Sequence, residues 1–582
     1  MSHDNKERID RMDRAALIRV ARGEEPADLL LEGAEIVNVL SGEIYPADVA
    51  IHQGWIVGLG DRYEAKSRVD MRGLTLLPGL IEGHIHIEST MLSVPEFARA
   101  VLARGTTTAI VDPHELANVL GLEGIRMVLR WARQVPLEIH VQLPSCVPAS
   151  PFETAGAVLD AAALRVLVGE AGILGLGELM NFPGALAGDP DLLAKAGLFG
   201  PDGHVDGHAP GVRGRDLSAY VVAGPRTDHE SVSEAEAEEK LRKGMWLLVR
   251  EGSTERNLHE LLPLIRRLRP ARAAFCSDDI TPNHLLREGH LDAILRQSVA
   301  GGLDPITAVR MATIQTAQCF GLPRRGAIAP GYAADLVAVD DLHHFRAAYV
   351  YKMGRLVARD GQVMTPLPVP DTAGSDHTVY LPPLNRHAFR LRGHEGDARV
   401  IGIIPGQIVT EDLLLPAPHR DGELVADPER DIAKLAVIER HGGGGRIGIG
   451  LVRGLGLRAG ALASTVAHDA HNVVVAGMND EDMIFAAQHL GHTGGGVVVV
   501  AGGEVRAELP LPIAGLLSPL PIAEIAARLD ALDEMARALG STLAHPLMTL
   551  SFLALSVIPA LKLTDQGLVD VERFALALIQ DG

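Results

Sequence analysis

Leu76-Leu77-Pro78-Gly79-Leu80-Ile81-Glu82-Gly83-His84-Ile85-His86-Ile87-Glu88 is the stretch on which the reading of the whole chain turns. A short apolar run, punctuated by Pro and Gly, ends in two histidines one residue apart. On an extended strand, side chains i and i+2 share a side. His84 and His86 therefore aim both imidazoles at one point, while Ile85 and Ile87 face into packing. Helical zinc motifs space their histidines three or four apart, so this pair belongs to a strand end. Alone, such a pair serves equally well as two hydrogen-bonded histidines on a half-buried strand, and the rest of the chain has to decide.

Downstream, helical stretches alternate with apolar runs that each end in a polar cluster. The runs are 80–86, 107–112, 137–143, 173–178, 204–208, 221–229, 245–250 and 273–278. Eight such runs predict a (β/α)8 TIM-type barrel over residues 78–325. The sixth is the least regular, because its apolar part, Tyr220-Val221-Val222-Ala223, suits the end of a helix as well as a strand. Helices are expected between the runs, including 157–171, and after the last one at 285–300 and 305–320.

Short β-type runs flank the barrel at 25–77 and 326–365, predicting one small β-sandwich domain built from both flanks. Residues 1–24 read as a helical extension with an amphipathic helix at 9–24. After a Pro- and Asp-containing linker, residues 377–582 read as a C-terminal α+β domain. Its expected strands include 379–381, 400–404, 446–451, 473–475 and 497–500, and its helices 481–489, 522–539 and 571–579. The fold class is thus α/β: a barrel, a small β-sandwich domain and an α+β domain.

The 582 residues hold 54 Lys+Arg against 74 Asp+Glu, a net charge of −20, which repels a polyphosphate partner and argues against nucleic acid. Three scattered cysteines without a CxxC fit a reducing compartment. The charged start lacks the apolar segment of a signal peptide, and no apolar run is long enough for a membrane span. A cytoplasmic protein with no membrane partner is expected.

In a barrel of this kind, working residues stand at the C-terminal strand ends. Reading those ends gives His84 and His86, Asp112-Pro113-His114-Glu115, Gln142, Glu178, His208, His229, Arg250-Glu251 and Asp278-Asp279. Such a mixture of imidazole and carboxylate suits borderline divalent metals. It has enough members for two ions, and two ions about 3.5–4 Å apart activate a shared water for hydrolysis.

These segments resemble the amidohydrolase superfamily and, within it, the bacterial adenine deaminases. The resemblance rests on Gly83-His84-Ile85-His86-Ile87-Glu88-Ser89, Asp112-Pro113-His114-Glu115 and Gly177-Glu178-Leu179-Met180-Asn181-Phe182-Pro183-Gly184. Further support comes from Asp206-Gly207-His208-Ala209-Pro210-Gly211, Thr227-Asp228-His229-Glu230, Ser277-Asp278-Asp279 and the later Ala467-His468-Asp469-Ala470-His471-Asn472. It implies two divalent cations, Mn or Fe ahead of Zn, with His84 and His86 on one, His208 and His229 on the other, and Asp278 as ligand and proton acceptor. Many superfamily members bridge their metals with a carboxylated lysine, but the only lysine between Lys66 and Lys240 is Lys195, in a helical stretch. Glu178 is the expected bridge instead. His204 rivals His208, which is favoured because Gly207 suggests close backbone approach.

The implied activity is hydrolytic deamination of adenine to hypoxanthine and ammonia by a metal-bridged hydroxide, in purine salvage. Glu230 or Glu115 would move the proton to ring nitrogen or to departing ammonia. His114, Glu88, Asp279, His468 and His471 are expected to bind substrate, the last two from a loop that caps the barrel. A homodimer or higher homo-oligomer is implied as well. Two alternatives stay open: an amidohydrolase acting on another amino-purine or a cyclic amide, and a non-catalytic metal-binding barrel.

Overall fold

A computed structural model describes residues 12–580. The described helix of the N-terminal extension is Arg14–Ala21, capped by the Asp13 side chain; the start of the expected 9–24 helix lies outside the described residues.

Eight parallel strands form the barrel: β1 Leu80–Ile85, β2 Thr106–Val111, β3 Glu138–Leu143, β4 Ile173–Leu179, β5 His204–Gly207, β6 Thr227–Asp228, β7 Trp246–Arg250 and β8 Ala273–Cys276. β1 to β5 pair in sequence order, as do β6 to β8. Two seams complete the ring. The Arg226 amide donates to the Val205 carbonyl at 2.9 Å, and the Asp278 amide to His84 at 2.9 Å. Both seams need glycine. A Cβ on Gly207 would stand 2.2 Å from the Thr227 carbonyl oxygen, and one on Gly83 would stand 2.7 Å from that of Phe275. The tight approach read from Gly207 is a property of the seam that β5 shares with β6.

Several boundaries differ from expectation. Tyr220–Ala223 ends the helix Gly214–Ala223, so the sixth strand shrinks to two residues. The helix expected over 157–171 is only Ala161–Arg165, because its capping residue, Asp160, lies three residues further on and Gly169 adopts a positive φ. The expected 285–300 helix is divided at Gly289, and the 305–320 helix at Ala312 and Thr313. Residues 571–579 are not helical: Ala575–Ala577 is the edge of a three-stranded sheet. In 379–381 only Tyr380 makes a bridge, to His441.

The two flanks of the barrel share one nine-stranded sheet. Its join is Thr75–Pro78, which runs antiparallel to Leu336–Val339, with Leu77 opposite Val337. Past residue 396, an eight-stranded sheet carries the helices Asp480–Thr493 and Ile522–Ala538. That unit is fastened to the loops at the barrel's C-terminal end. The Thr154 amide donates to Asp565 at 2.9 Å, the Ser518 amide to the Met91 carbonyl at 2.8 Å, and Asn283 to Asp530 at 2.8 Å. The strand ends with their polar clusters thus face the C-terminal unit.

Candidate metal centre

Strand alternation delivers what the HxH spacing promised. His84 and His86 are buried, with their Nε2 atoms 3.2 Å apart. Each ring is held from behind: Asp206 Oδ2 faces His84 Nδ1 at 3.0 Å, and the Asp112 carbonyl faces His86 Nδ1 at 2.9 Å. An acceptor at Nδ1 requires hydrogen there, so in the neutral rings both Nε2 atoms present lone pairs to each other. Two lone pairs at that distance are repulsive unless a cation lies between them. The donor set therefore fits a metal ion on the structure's own chemistry, with outer partners that fix the tautomers as metal sites require.

Glu178, near the end of β4, divides its two oxygens. Oε1 lies 3.3 Å from His86 Nε2; Oε2 lies 2.7 Å from His208 Nδ1 and 3.2 Å from His229 Nε2. Asp278 Oδ1 lies 3.5 Å from His84 Nε2 and 3.2 Å from His86 Nε2. Two sets of ligand atoms, His84–His86–Glu178 and Glu178–His208–His229, are thus compact enough for an ion each and share Glu178. His84, His229 and Asp278 form a further such set. Burial alone would raise Glu178 and Asp278, but the surrounding imidazoles hold both carboxyls well below the ordinary range. Burial would likewise lower His84 and His86, and the carboxylates lift them well above it. The cluster as a whole calls for positive charge.

The rivals stand elsewhere. His204 lies 3.9 Å from Asp206 through Nε2, and its ring packs on Phe320 at 4.5 Å. Lys195 donates to the Ser145 carbonyl at 3.0 Å and pairs with Asp191 at 3.0 Å, outside every ligand set described above.

A cavity of ≈ 70 Å³ opens over these atoms. His114, Glu115, Glu230, Asp279 and His468 line it. Glu88 does not: its Oε1 accepts the Leu116 amide at 3.1 Å, so it secures the turn after β2 rather than the cavity wall. His471 is also absent from the wall, standing behind Glu115 with Nε2 3.8 Å from Oε2. Burial and the neighbouring His86 push His114 down to about 3. It is a neutral ring, 3.5 Å from Glu178 and 3.9 Å from Asp469.

Sequence reasoning underweighted three groups. Arg250 forks between carboxylates: Nη1 donates to Asp278 Oδ2 at 2.9 Å, Nη2 to Glu230 Oε2 at 3.1 Å, and Nη1 also pairs with Glu230 Oε1. Asp206 shares a strand side with His208, a period-2 signal that was legible. Ile408, Phe552, Leu555, Val557 and Ile558 roof the cavity from the C-terminal unit, and nothing in their local sequence separates them from ordinary core. Among the described residues, no helix is long and apolar enough to cross a membrane.

Residues 75–364 match the amidohydrolase family, and residues 407–575 match the adenine deaminase C-terminal domain. The chain is 49% identical over 569 residues to an adenine deaminase of Nitratidesulfovibrio vulgaris (strain DP4), covering 97% of this chain and 98% of the relative. It is 47% identical to adenine deaminase 2 of Carboxydothermus hydrogenoformans, covering 96% and 98%. Among solved structures, a β-aspartyl dipeptidase of Fervidobacterium islandicum AW-1 aligns with 58% of this chain at a TM-score of 0.45 and 17% identity. The family and the His/carboxylate clusters together point to divalent metal binding. With relatives this similar along nearly its whole length, the chain belongs to the adenine deaminase family of amidohydrolases.

Proposed function

We propose that this protein hydrolyses adenine to hypoxanthine and ammonia, using two divalent cations, Mn or Fe ahead of Zn. The observation that carries the reading is the division of Glu178, whose two oxygens face separate histidine pairs. On this reading His84 and His86 would hold one ion and His208 and His229 the other, with Glu178 shared between the two sets and Asp278 completing the first. Such a pair, when bound, would supply Lewis acidity and lower the pKa of a water toward neutral.

The remaining work falls to the chain's own side chains. Asp278 Oδ1 faces the metal histidines and accepts the proton of the attacking water, while Arg250 fixes its other oxygen. Glu230, on the same arginine and 3.4 Å from His229 Nε2, carries a proton toward the ring nitrogen next to C6. Positioned acid–base groups of this kind contribute roughly 10²–10⁴-fold. The water supplies the oxygen at C6 and two protons, one retained on the lactam nitrogen and one leaving with ammonia. The apolar roof of Phe552, Leu555 and Ile558 covers the flat base and excludes bulk water.

The test is metal analysis together with ammonia release from adenine on the wild type, Glu178→Gln and Asp278→Asn. We expect two metals per wild-type chain, loss of metal in the first variant, and retained metal with a rate at least 10²-fold lower in the second. Full metal content and full rate in both variants would overturn the assignment, as would a wild type inert on adenine.

A further inference from the structure

The C-terminal unit places a histidine in the cavity that the hydrolysis just described does not use. His468 lines the cavity wall, and its Nδ1 stands 2.8 Å from Glu115 Oε1, across the boundary between the C-terminal unit and the barrel. Its ring stacks on Phe552, with centroids 4.7 Å apart and planes 12° apart. The orientation is therefore set twice, by a carboxylate at one nitrogen and by an aromatic face. With Nδ1 engaged, Nε2 is the nitrogen left for a ligand.

A third residue stands beside the carboxylate. His471 Nδ1 accepts the Ala467 amide at 3.2 Å, so the hydrogen of the neutral ring is on Nε2, which faces Glu115 Oε2 at 3.8 Å. Glu115, His468 and His471 are close enough to enclose a cation. However, a metal at His471 Nε2 would need that nitrogen bare while Nδ1 is already serving as an acceptor. His471 Nε2 thus carries the ring hydrogen and is no metal ligand, and His468 Nδ1 is the nitrogen within hydrogen-bond reach of the carboxylate. Burial alone would lower His468, but Glu115 raises it to about 9. A cationic ring with Nδ1 committed has one N–H to offer.

We propose that His468, oriented by Glu115 and Phe552, donates its Nε2 hydrogen to a ring-nitrogen acceptor of the bound purine, N3 or N7, and so reads the base. This rests on the adenine reading above and assigns the C-terminal domain a direct part in substrate selection. Glu115 is then a positioning residue, rather than the proton carrier named as one candidate from sequence. A donor aimed at a purine acceptor also discriminates by omission, because a base lacking that nitrogen leaves the charged N–H buried and unpaired.

The readout is competitive inhibition by 3-deazaadenine and 7-deazaadenine, each of which lacks one of the two acceptors. In the wild type, one analogue should bind roughly 10–100-fold more weakly than the other, the effect of losing a hydrogen bond to a charged donor. In His468→Ala the stronger analogue should fall to the level of the weaker, erasing the ratio, while metal content stays at the wild-type value. Glu115→Gln should shrink the ratio in the same direction. Equal inhibition by both analogues in the wild type would overturn the proposal, as would an unchanged ratio in His468→Ala or a third metal lost in that variant. Should His468→Ala fail to fold, the wild-type ratio alone decides. Adenine turnover by the wild type is the separate control: its absence sinks the deaminase reading, whereas turnover with no ratio sinks only the role of His468.

Discussion

Arg250→Met should destabilise the barrel in a pH-dependent way. The guanidinium touches both Glu230 and Asp278, and all three residues are at least nine-tenths buried. Removing one partner from a buried ion network costs about 3–5 kcal/mol, because uncompensated charge is left behind. For an unfolding unit of barrel size, with a guanidinium dependence of several kcal/mol per molar, the midpoint should drop by roughly 0.5–1 M. The sign with pH follows from Glu230. Burial would raise its pKa, but Arg250 and the histidines hold it below the ordinary value, so it stabilises the wild type above the unfolded pKa. Without Arg250 the largest influence lowering it is gone, so the folded pKa rises and the ionised carboxyl contributes less stability above the unfolded pKa. The deficit should therefore be largest near pH 8 and shrink toward pH 5. Chelator-treated protein, followed by the fluorescence of Trp131 on the helix Leu122–Ala132 that packs on the barrel, reports it. Equal midpoints for variant and wild type at pH 8, or a deficit that grows on acidification, would refute the reasoning.

Asp206→Asn should leave the fold intact and loosen metal by about 10–100-fold, since outer partners that fix a ligand's tautomer contribute on that scale; metal retained during dialysis against a graded chelator series measures it. Lys195→Met should lower stability through its lost contacts with Ser145 and Asp191, yet keep the full metal complement. Loss of metal in that variant would point to a modified lysine and away from Glu178 as the bridge.

Much of this architecture was legible because parallel barrel strands carry strong local signals. The runs ending at Asp112, Glu178 and Asp278 are continuous apolar segments with polar stops, the pattern that burial on both faces produces. β6 defeated this reading. With two residues, Thr227–Asp228, it is defined by its neighbours, and the apolar stretch before it belongs to a helix. The edge strand Ala575–Ala577 was hidden for a related reason: its identity comes from pairing with Gly567–Asp570, and a short Ala/Leu segment suits a helix equally well by propensity. At the site, His84, His86 and Glu178 followed from strand period and position. Arg250 was visible at a strand end, but its fork onto two carboxylates is a tertiary fact. The roof is tertiary too, since Phe552 and Ile558 reach the cavity from more than 250 residues beyond β8.

The nine-stranded sheet has a bearing on how the protein is made. Thr75–Pro78 meets its antiparallel partner only when Leu336–Val339 emerges, after the entire barrel has been synthesised. Until then one side of Thr75–Pro78, with the buried residues Leu76 and Leu77, lacks the neighbour that covers it in the finished protein. A nascent chain therefore carries an incomplete β-sheet for the length of a whole domain, the kind of edge that recruits foreign strands. Chains truncated just after the barrel should consequently aggregate, whereas chains extended through Val363 can close the sheet on themselves.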